Sequence, residues 1–268
     1  MAKAKKQPGR YDVIIVEIFH RHYQQGIESF EFSRSEIASV ASHLSIAVPK
    51  NFGDVFYKYR FRTELPKEIL DTAPDGLEWL IELAGHANYR FRLSRKNRII
   101  PNYNLIQIKI PDSTPEIIAK YALSDEQALL AKVRYNRLID IFLAIATYSL
   151  QNHLRTTVKG IGQIEIDEIY VGVNRNGTQF VIPVQAKSGD DQLGIVQTKQ
   201  DIACCQAKFP ELICRPVAAQ FIANNIIAMF ELALEEDEIK IVDEKHYKLV
   251  PANEISRQEL HNYRIREQ

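Results

Sequence analysis

The chain has 268 residues, of which 46% are hydrophobic, so it can bury a substantial core in one large domain or two ordinary ones, and disorder is excluded as the default. Its 34 basic and 34 acidic side chains cancel, so the net charge does not demand an anionic partner. The charges are unevenly placed, however. Residues His86 to Lys109 contain six Lys/Arg and no acid, whereas Glu231 to Glu244 contain seven acids and one lysine. This asymmetry predicts one face for an anionic partner.

Cysteine usage and apolar segments indicate a reducing, aqueous compartment. Cys204, Cys205 and Cys214 are too few and too close for a disulfide framework, and no CxxC pair offers a zinc site. The apolar run Leu138–Leu150 contains Asp140 and is shorter than the roughly 20 residues of a membrane span, so it predicts a buried helix. No apolar segment follows the basic N-terminus as it would in a signal peptide. We expect a soluble, cytoplasmic protein.

The first part of the chain has the outline of a helix-turn-helix. The stretch YDVIIVEIFHRHYQ has apolar residues at helical spacing and predicts a first helix. Ser33 and Glu36 match a capping box that begins a second helix. After a break at Pro49, Asn51 can cap a third helix, FGDVFYKYRFR. These elements predict a mainly helical, winged-helix-like DNA-binding domain over residues 1–110.

A basic segment with interleaved aromatic residues follows these helices. NYRFRLSRKNR alternates apolar or aromatic residues with arginine, as the hairpin of a wing would. Basic side chains neutralise phosphates and a helix can enter the major groove, so the segment favours DNA binding. The alternative is an ordinary helical domain whose basic residues are solvated surface charges. The candidate DNA contacts are Lys58, Arg60 and Arg62 near the third helix, and Arg90, Arg92, Arg95, Lys96 and Arg98 in the wing.

The second part of the chain predicts an α/β domain over residues 111–268. A boundary is expected near Lys109–Glu116, which contains two prolines and turn-forming residues. Ser124–Gln127 resembles a capping box and predicts a long helix to about His153. The elements predicted after it are strands at 163–173 and 178–187, a helix at 191–208, a strand at 211–218, a helix at 221–236, and a strand or hairpin at 238–250.

The predicted hairpin at 163–187 carries an unusual concentration of acids, since Glu165, Asp167 and Glu168 lie within four residues of an apolar strand. A two-residue turn at 176–177 would place Glu168 opposite Gln185. A three-residue loop at 175–177 with a left-handed glycine instead places Asp167 opposite Gln185 and Glu165 opposite Lys187. Only the second register brings the apolar rows of the two strands onto one face, so we favour it.

In this register Asp167, Gln185, Lys187 and Glu165 form one polar group that could bind a metal ion. Carboxylate and amide oxygens are the hard ligands that Mg²⁺ prefers, and Mg²⁺ sites commonly include phosphate oxygens as well. A bound cation can lower the pKa of a water and polarise a phosphoryl group. Lys187 could orient that water or stabilise the charge that develops on phosphate. The alternative is a cross-strand ion pair on a solvated face, worth about 0.2–1 kcal/mol.

These residues resemble the PD-(D/E)xK nuclease superfamily, which includes most type II restriction endonucleases. Asp167 matches the first acid, and VIPVQAK matches the second half of the motif, with Gln185 at the variable acidic position before Lys187. The resemblance extends from Ser124 to Ala218 and implies the αβββαβ core of that family, provided that RTTVKG contributes its first strand. The predicted architecture is thus α+β or α/β: a winged-helix-like domain followed by a restriction-endonuclease-like core.

The resemblance implies a Mg²⁺-dependent endonuclease that cuts double-stranded DNA, most plausibly a homodimeric type II restriction enzyme. Asp167, Gln185 and the Ala186 carbonyl would hold the metal, Lys187 would act on the attacking water, and Glu165 would complete the catalytic group. Glutamine at position 185 departs from the family pattern, because it removes one negative charge from the metal site. Glu165 or Glu168 is a candidate to compensate, and an acid of the long helix, Glu126 or Asp140, is a further option that the sequence leaves open.

Two rival functions follow from the same residues. A DNA-repair or junction-resolving nuclease would use the same core on branched DNA. A non-catalytic winged-helix DNA-binding regulator would carry a silent nuclease-like domain, and would bind duplex DNA without cutting it.

Overall fold

The protein, described here by a computed structural model, divides into two compact units. Residues 9–95, 98–121, 126–159, 161–187, 193–223, 225–236 and 238–266 are described. The first unit comprises Met1–Arg98, Thr157–Gln163 and Gly194–Gln200, and the second comprises Ile99–Thr156, Ile164–Leu193 and Asp201–Gln268. The sequence placed the division near residue 110. The long first segment of the first unit ends at Arg98, and residues Ile99–Thr156 belong to the second unit.

The first unit combines helices with a small antiparallel sheet. Its elements are α1 (Arg10–His22), β1 (Ser29–Ser33), α2 (Glu36–His43), α3 (Phe52–Tyr57) with a π-helical turn (Lys58–Arg62), α4 (Lys67–Leu70), β2 (Glu78–Leu83), β3 (Asn88–Ser94) and the start of β4 (Arg98–Ile99). The sheet has the order β1-β3-β2, and β2 and β3 form an antiparallel hairpin. The three predicted helices and the predicted hairpin strand are therefore present.

Local capping fixes where these helices begin. The predicted cap Ser33 is wrong, because α2 begins at Glu36 after Ser35 and Ser33 ends β1, but half of the predicted capping box is present: Glu36 Oε1 accepts a hydrogen bond of 2.8 Å from the Ser33 backbone N–H. Asn51 Oδ1 accepts one of 3.0 Å from Gly53 N, as predicted for a cap of α3. An aromatic cluster that includes Phe19, Trp79 and Phe91 fills the core of this unit.

The second unit is built on a large mixed sheet. Its elements are β5 (Gln107–Pro111), α5 (Glu116–Tyr121), α6 (Glu126–Tyr135), α7 (Leu138–Leu143), β6 (Ala146–Val158), β7 (Gly162–Val173), β8 (Gln179–Lys187), β9 (Leu193–Gly194), α8 (Ile195–Lys208), β10 (Ile213–Cys214), β11 (Val217–Ala223), β12 (Ile226–Glu235), β13 (Glu238–Val250), a 3₁₀ turn (Ala252–Glu254) and α9 (Arg257–Arg266). The sheet order is β5-β13-β12-β11-β8-β7-β6. The chain is thus of mixed α/β class, as predicted.

The direction of the central strands follows from their connections. β7 and β8 are antiparallel, whereas β11 returns parallel to β8 after α8. From α6 onward the main elements are helix α6, strands β6, β7 and β8, helix α8 and strand β11, with the short elements α7, β9 and β10 between them. Within the described residues no helix is both long and apolar enough to cross a membrane.

The prediction of one long helix to His153 was wrong. Helix α6 ends at Tyr135, and Arg137 and Ala144 adopt left-handed conformations with φ of 50° and 54°. The Asn136 side chain donates to the Lys132 carbonyl oxygen at 2.9 Å, which competes with helix continuation. Strand β6 begins at Ala146, and its β-branched and aromatic residues favour that state. The apolar run Leu138–Leu150 is therefore part helix and part strand.

The predicted helix at 221–236 was also wrong, because this segment forms the end of β11 and the interior strand β12. Residues Ile226 to Phe230 are each at most 8% exposed, so both faces of the strand are buried and no alternating pattern is visible in the sequence. Pairing with β11 and β13 overrides the helix propensity of its Ala, Met, Leu and Glu residues. Asn225, with φ of 64°, lies in the turn before the strand.

The predicted hairpin register is confirmed. Glu168 pairs with Val184 and Val173 with Gln179, which leaves a three-residue loop at 175–177 inside the Asn174–Thr178 pair. Gly177 has φ of 79°, as the loop requires. The apolar row of β8 then packs with α6 and α7 in the core, and it comprises Phe180, Ile182, Val184 and Ala186. The opposite face of β8 is left for Gln185 and Lys187.

The left-handed glycine of this loop can be tested. We expect Gly177→Ala to lower the free energy of unfolding by about 1–2 kcal/mol, because a Cβ disfavours positive φ. A Cβ at this position would meet no atom within 4 Å, so the cost would be that of the backbone alone. Urea unfolding measures it, with the neighbouring Arg175→Ala as a control expected within about 0.5 kcal/mol of wild type. Equal stability of both variants would contradict the loop assignment.

Candidate active site

Asp167 lies on the face of β7 that is turned away from the core. It is 8% exposed, and its Oδ2 accepts a hydrogen bond of 2.9 Å from the backbone N–H of Ala186 on β8. Burial raises the pKa of the Asp167 carboxyl, while the Ala186 N–H and the charge of Lys187 act in the opposite direction. The carboxylate is thus anchored on one side and held in a site that disfavours its uncompensated charge.

Lys187 ends β8 on the same side of the sheet as Asp167, close enough for its charge to act on that carboxyl. It is 8% exposed, and its Nζ lies 2.7 Å from Oε1 of Glu126, the first residue of α6. The sequence left the choice between Glu126 and Asp140 open. Asp140 instead accepts from the backbone and hydroxyl of Thr147, at 2.8 and 2.9 Å, so only Glu126 reaches the site.

The sequence did not reveal a further acid in this group, Asp201 on α8. Asp201 is 1% exposed, and its Oδ2 lies 2.7 Å from Nε2 of Gln185. Its Oδ1 is buried and accepts no hydrogen bond from the described residues. Burial raises the pKa of Asp201 well above its usual value, and the nearby carboxyl of Asp167 acts in the same direction. The sequence did contain a signal for its burial. Asp201 is the only acid of α8, and it lies at helical spacing from Thr198, Cys204 and Cys205, which are buried.

Glu165 lies on the same strand and face as Asp167 but is more open, with a side chain that is 40% exposed. Its Oε1 lies 3.1 Å from Arg155 Nη2 and 3.8 Å from His153 Nδ1, both on β6. The sequence analysis placed Glu165 opposite Lys187, whose close acidic neighbour in the structure is Glu126. Glu165 is therefore at the rim of the group.

Glu168 does not assist this site. It is fully buried, and its Oε1 accepts from Arg134 Nε at 3.0 Å and from Ser149 Oγ at 2.6 Å. Its strand position places it on the core face, opposite to Asp167. Glu168 is therefore a structural ion-pair residue.

The oxygen donors suit a magnesium ion that also binds a substrate phosphate. Asp167, Asp201 and Gln185 supply two carboxylates and an amide, and Asp201 Oδ1, which accepts no hydrogen bond from the part of the chain that the structure describes, could bind the ion. Mg²⁺ is often held by one or two carboxylates, waters and substrate phosphates, so three acids are not required. The described residues contain no cluster of three or more His, Cys, Asp or Glu side chains suited to a metal.

The basic residues proposed to contact DNA lie in different environments. Lys58 pairs with Asp12 at 2.6 Å, and Arg90 pairs with Glu31 at 2.6 Å. Arg92 pairs with Glu82 at 2.9 Å and is only 19% exposed. Each of these side chains would have to leave an acid to bind a phosphate.

The other members of that set divide into buried, exposed and undescribed residues. Nε and Nη2 of Arg60 are buried, and burial lowers the pKa of its guanidinium to about 10. Arg95 is exposed at the end of β3. The side chains of Arg62 and Arg98, and the whole of Lys96, lie outside the described residues. Among the members whose side chains are described, Arg95 is thus the one that fits a DNA contact best.

No protein-family model, curated protein or solved structure matches this chain. The candidate active site is the group formed by Asp167, Gln185, Lys187, Glu126 and Asp201.

Proposed function

We propose that the protein is a Mg²⁺-dependent endonuclease that hydrolyses phosphodiester bonds in double-stranded DNA, with a PD-(D/E)xK-like core. The observation that carries this proposal is the joint position of Asp167 and Lys187 on the non-core face of one hairpin, with the Ala186 N–H anchoring the carboxylate. An acid and a lysine beside hard oxygen donors is an arrangement suited to phosphoryl chemistry.

The order of elements supports the nuclease core. From α6 to β11 the main elements are a helix, the neighbouring strands β6, β7 and β8, a crossover helix and a strand parallel to β8, with the short elements α7, β9 and β10 between them. This is the αβββαβ order that the resemblance implies. The site lies where β8 ends, close to the beginning of α6, so three elements converge on it.

Each residue of the site has a proposed role. Asp167, Gln185 and Asp201 would hold the magnesium ion, with the Ala186 carbonyl as the remaining ligand expected from the resemblance. When bound, Mg²⁺ would supply Lewis-acid polarisation of the phosphate and a more acidic water. Lys187, kept in place by Glu126, would orient the attacking water and stabilise charge that develops on the phosphate.

The first unit supports a role in reading DNA. Its order of helix, strand, helices α2, α3 and α4 and a hairpin, with the sheet order β1-β3-β2, resembles that of a winged helix with the short helix α4 added. α3 and its π-helical turn would enter the major groove, and the β2–β3 hairpin with Arg95 would form the wing. A type II restriction enzyme that acts as a homodimer is the specific form of this proposal.

A non-catalytic DNA-binding regulator is the second candidate, and two observations favour it. Asp167 and Lys187 are each only 8% exposed, and the motif position before the lysine carries the neutral Gln185. Such a protein would bind duplex DNA with high salt sensitivity and would not cut it.

Digestion of a panel of DNA substrates tests these functions. Supercoiled plasmid, a four-way junction and single-stranded DNA are incubated with the full chain in Mg²⁺ or in EDTA. We expect discrete plasmid fragments in Mg²⁺ and none in EDTA. Cutting of the junction alone would favour a repair enzyme. Duplex binding without cleavage of any substrate would overturn the nuclease proposal.

Asp201 makes a specific prediction for metal dependence. We expect Asp201→Asn to raise the Mg²⁺ concentration for half-maximal cleavage by about 10–100-fold, since one ligand charge is lost. The fold should be retained, because an asparagine can still hydrogen-bond Gln185. Saturating Mg²⁺ should recover much of the rate. An unchanged Mg²⁺ requirement would exclude Asp201 from the metal site.

A further inference from the structure

Strand β6 reverses its side-chain alternation close to the candidate site. Ser149 Oγ donates to Glu168, on the core face, at 2.6 Å. Arg155 Nη2 lies 3.1 Å from Glu165, on the opposite face. In a regular strand residues 149 and 155 would share one face, because their separation is even. The strand therefore contains an irregularity between them.

His153 is the residue at which this irregularity occurs. Its φ is 47°, and of the non-glycine residues with positive φ in the described part of the chain it alone lies within a strand. A left-handed conformation costs about 1–2 kcal/mol for such a residue. Bulges of this kind re-aim side chains and are common beside active sites. Here the bulge delivers His153 and Arg155 to the face of Asp167.

The imidazole of His153 is placed at the rim of the site with its side chain 55% exposed. Nδ1 lies 3.8 Å from Glu165 Oε1, and Nε2 lies 3.0 Å from Nε2 of the Gln127 amide, which donates to it. The imidazole therefore has to take up a proton at Nε2, with Gln127 displaced, before it can give one to a substrate. Gln127 is itself exposed, so a substrate oxygen could replace it at Nε2 at little cost. The charge of His153 also acts on Asp167, although less than burial and Lys187 do, which places the ring near the catalytic carboxylate.

We propose that His153 is a catalytic residue that gives a proton to the leaving oxygen of the scissile phosphodiester, an inference that rests on the proposed nuclease function. A water oxygen bonds to phosphorus, and the bond from phosphorus to the leaving oxygen breaks. That oxygen takes the proton from Nε2. The water loses a proton to solvent and the imidazole regains one, so atoms and charge balance. Imidazole is suited to this because it exchanges protons near neutral pH.

The experiment compares oxygen and sulfur leaving groups. The wild-type cut is first mapped, and its product ends identify the leaving oxygen. Two duplexes are then made that carry oxygen or sulfur at that bridging position. Thiols are far more acidic than alcohols, so a sulfur leaving group needs no proton donor. His153→Asn is the test variant because asparagine tolerates a left-handed backbone, and His261→Asn on α9 is the matched control.

We expect His153→Asn to cut the oxygen duplex about 10²–10⁴-fold more slowly than wild type, in line with the loss of a general acid. On the sulfur duplex the two proteins should differ by less than about tenfold. Lys187→Met should cut both duplexes slowly, because Lys187 acts on the attacking water and the phosphate and not on the leaving oxygen. His261→Asn should match wild type.

Three outcomes would overturn an assignment, and they are distinguishable. If wild type cuts no DNA, the proposed function itself is wrong. If wild type cuts and His153→Asn cuts the oxygen duplex equally fast, only the role of His153 is wrong. If His153→Asn is equally slow on both duplexes, His153 does not donate the proton to the leaving group.

Discussion

The Lys187→Met variant is expected to cut DNA about a thousandfold more slowly than wild type at saturating Mg²⁺. The ammonium of Lys187 lies 2.7 Å from Glu126 and its charge acts on Asp167, and methionine keeps the length of the side chain but not the charge. Loss of a positioned electrostatic group typically costs about 10²–10³ in rate, and loss of a proton-transfer group about 10²–10⁴. Single-turnover cleavage of plasmid measures the effect.

The control for this variant is Lys245→Met. Lys245 carries the same substitution on β13, pairs with Asp243 at 3.0 Å, and lies three strands away from β8 in the sheet. It should cut at the wild-type rate, and both variants should keep the wild-type circular dichroism spectrum. Cleavage by Lys187→Met within tenfold of wild type would remove the lysine from the mechanism.

The second large effect concerns stability: we expect Arg134→Met to lower the free energy of unfolding by about 3 kcal/mol. Removal of one partner from a buried ion pair typically costs about 3–5 kcal/mol, because the other charge stays buried. Glu168 has no exposed side-chain area, whereas Arg134 is 37% exposed, so a value near the lower end is expected. Urea unfolding followed by far-UV circular dichroism measures the free energy of unfolding.

The double variant Arg134→Met with Glu168→Met separates the lost ion pair from lost packing. When both charges are replaced by apolar groups, the buried carboxylate no longer lacks a partner, and most of the stability should return. A cost below about 1 kcal/mol in Arg134→Met alone would show that Glu168 is solvated and not held in the core.

The parts of the fold that follow from local sequence were predictable. Gly177 and the alternating apolar rows determine the hairpin register, because one loop geometry alone aligns them. The helices of the first unit also have local signals, namely Glu36 and Asn51 at their beginnings. In these places the propensities and the tertiary structure agree.

The errors arose where tertiary packing decides the local structure. β12 is buried on both faces, so its sequence lacks the alternation of a strand and has the composition of a helix. The chain after Tyr135 changes from helix to strand within one apolar run, at two left-handed residues that no glycine marks. Neither event has a short-range sequence signal strong enough to predict it.

The candidate site also divides into residues that the sequence predicts and residues that only tertiary packing brings together. Asp167, Gln185 and Lys187 lie on one hairpin, so strand alternation alone places them together. Glu126 and Asp201 come from helices far along the chain, and only the packing of α6 and α8 brings them to the hairpin. The position of His153 depends on an irregularity in β6 that the sequence does not predict.

The measurement that tests the central claim most directly is the rate of duplex cleavage by Asp167→Asn, taken together with its thermal stability. Burial raises the folded-state pKa of Asp167, so ionisation at neutral pH opposes folding in the metal-free protein. This unfavourable contribution is absent below the pKa of the unfolded chain and grows as the pH rises between the unfolded and folded values.

Asparagine removes that charge and can still accept the Ala186 hydrogen bond. The account therefore predicts that Asp167→Asn in EDTA at neutral pH unfolds at or above the wild-type temperature, while its Mg²⁺-dependent cleavage falls by about a thousandfold. Wild-type cleavage by a stably folded Asp167→Asn protein would contradict it.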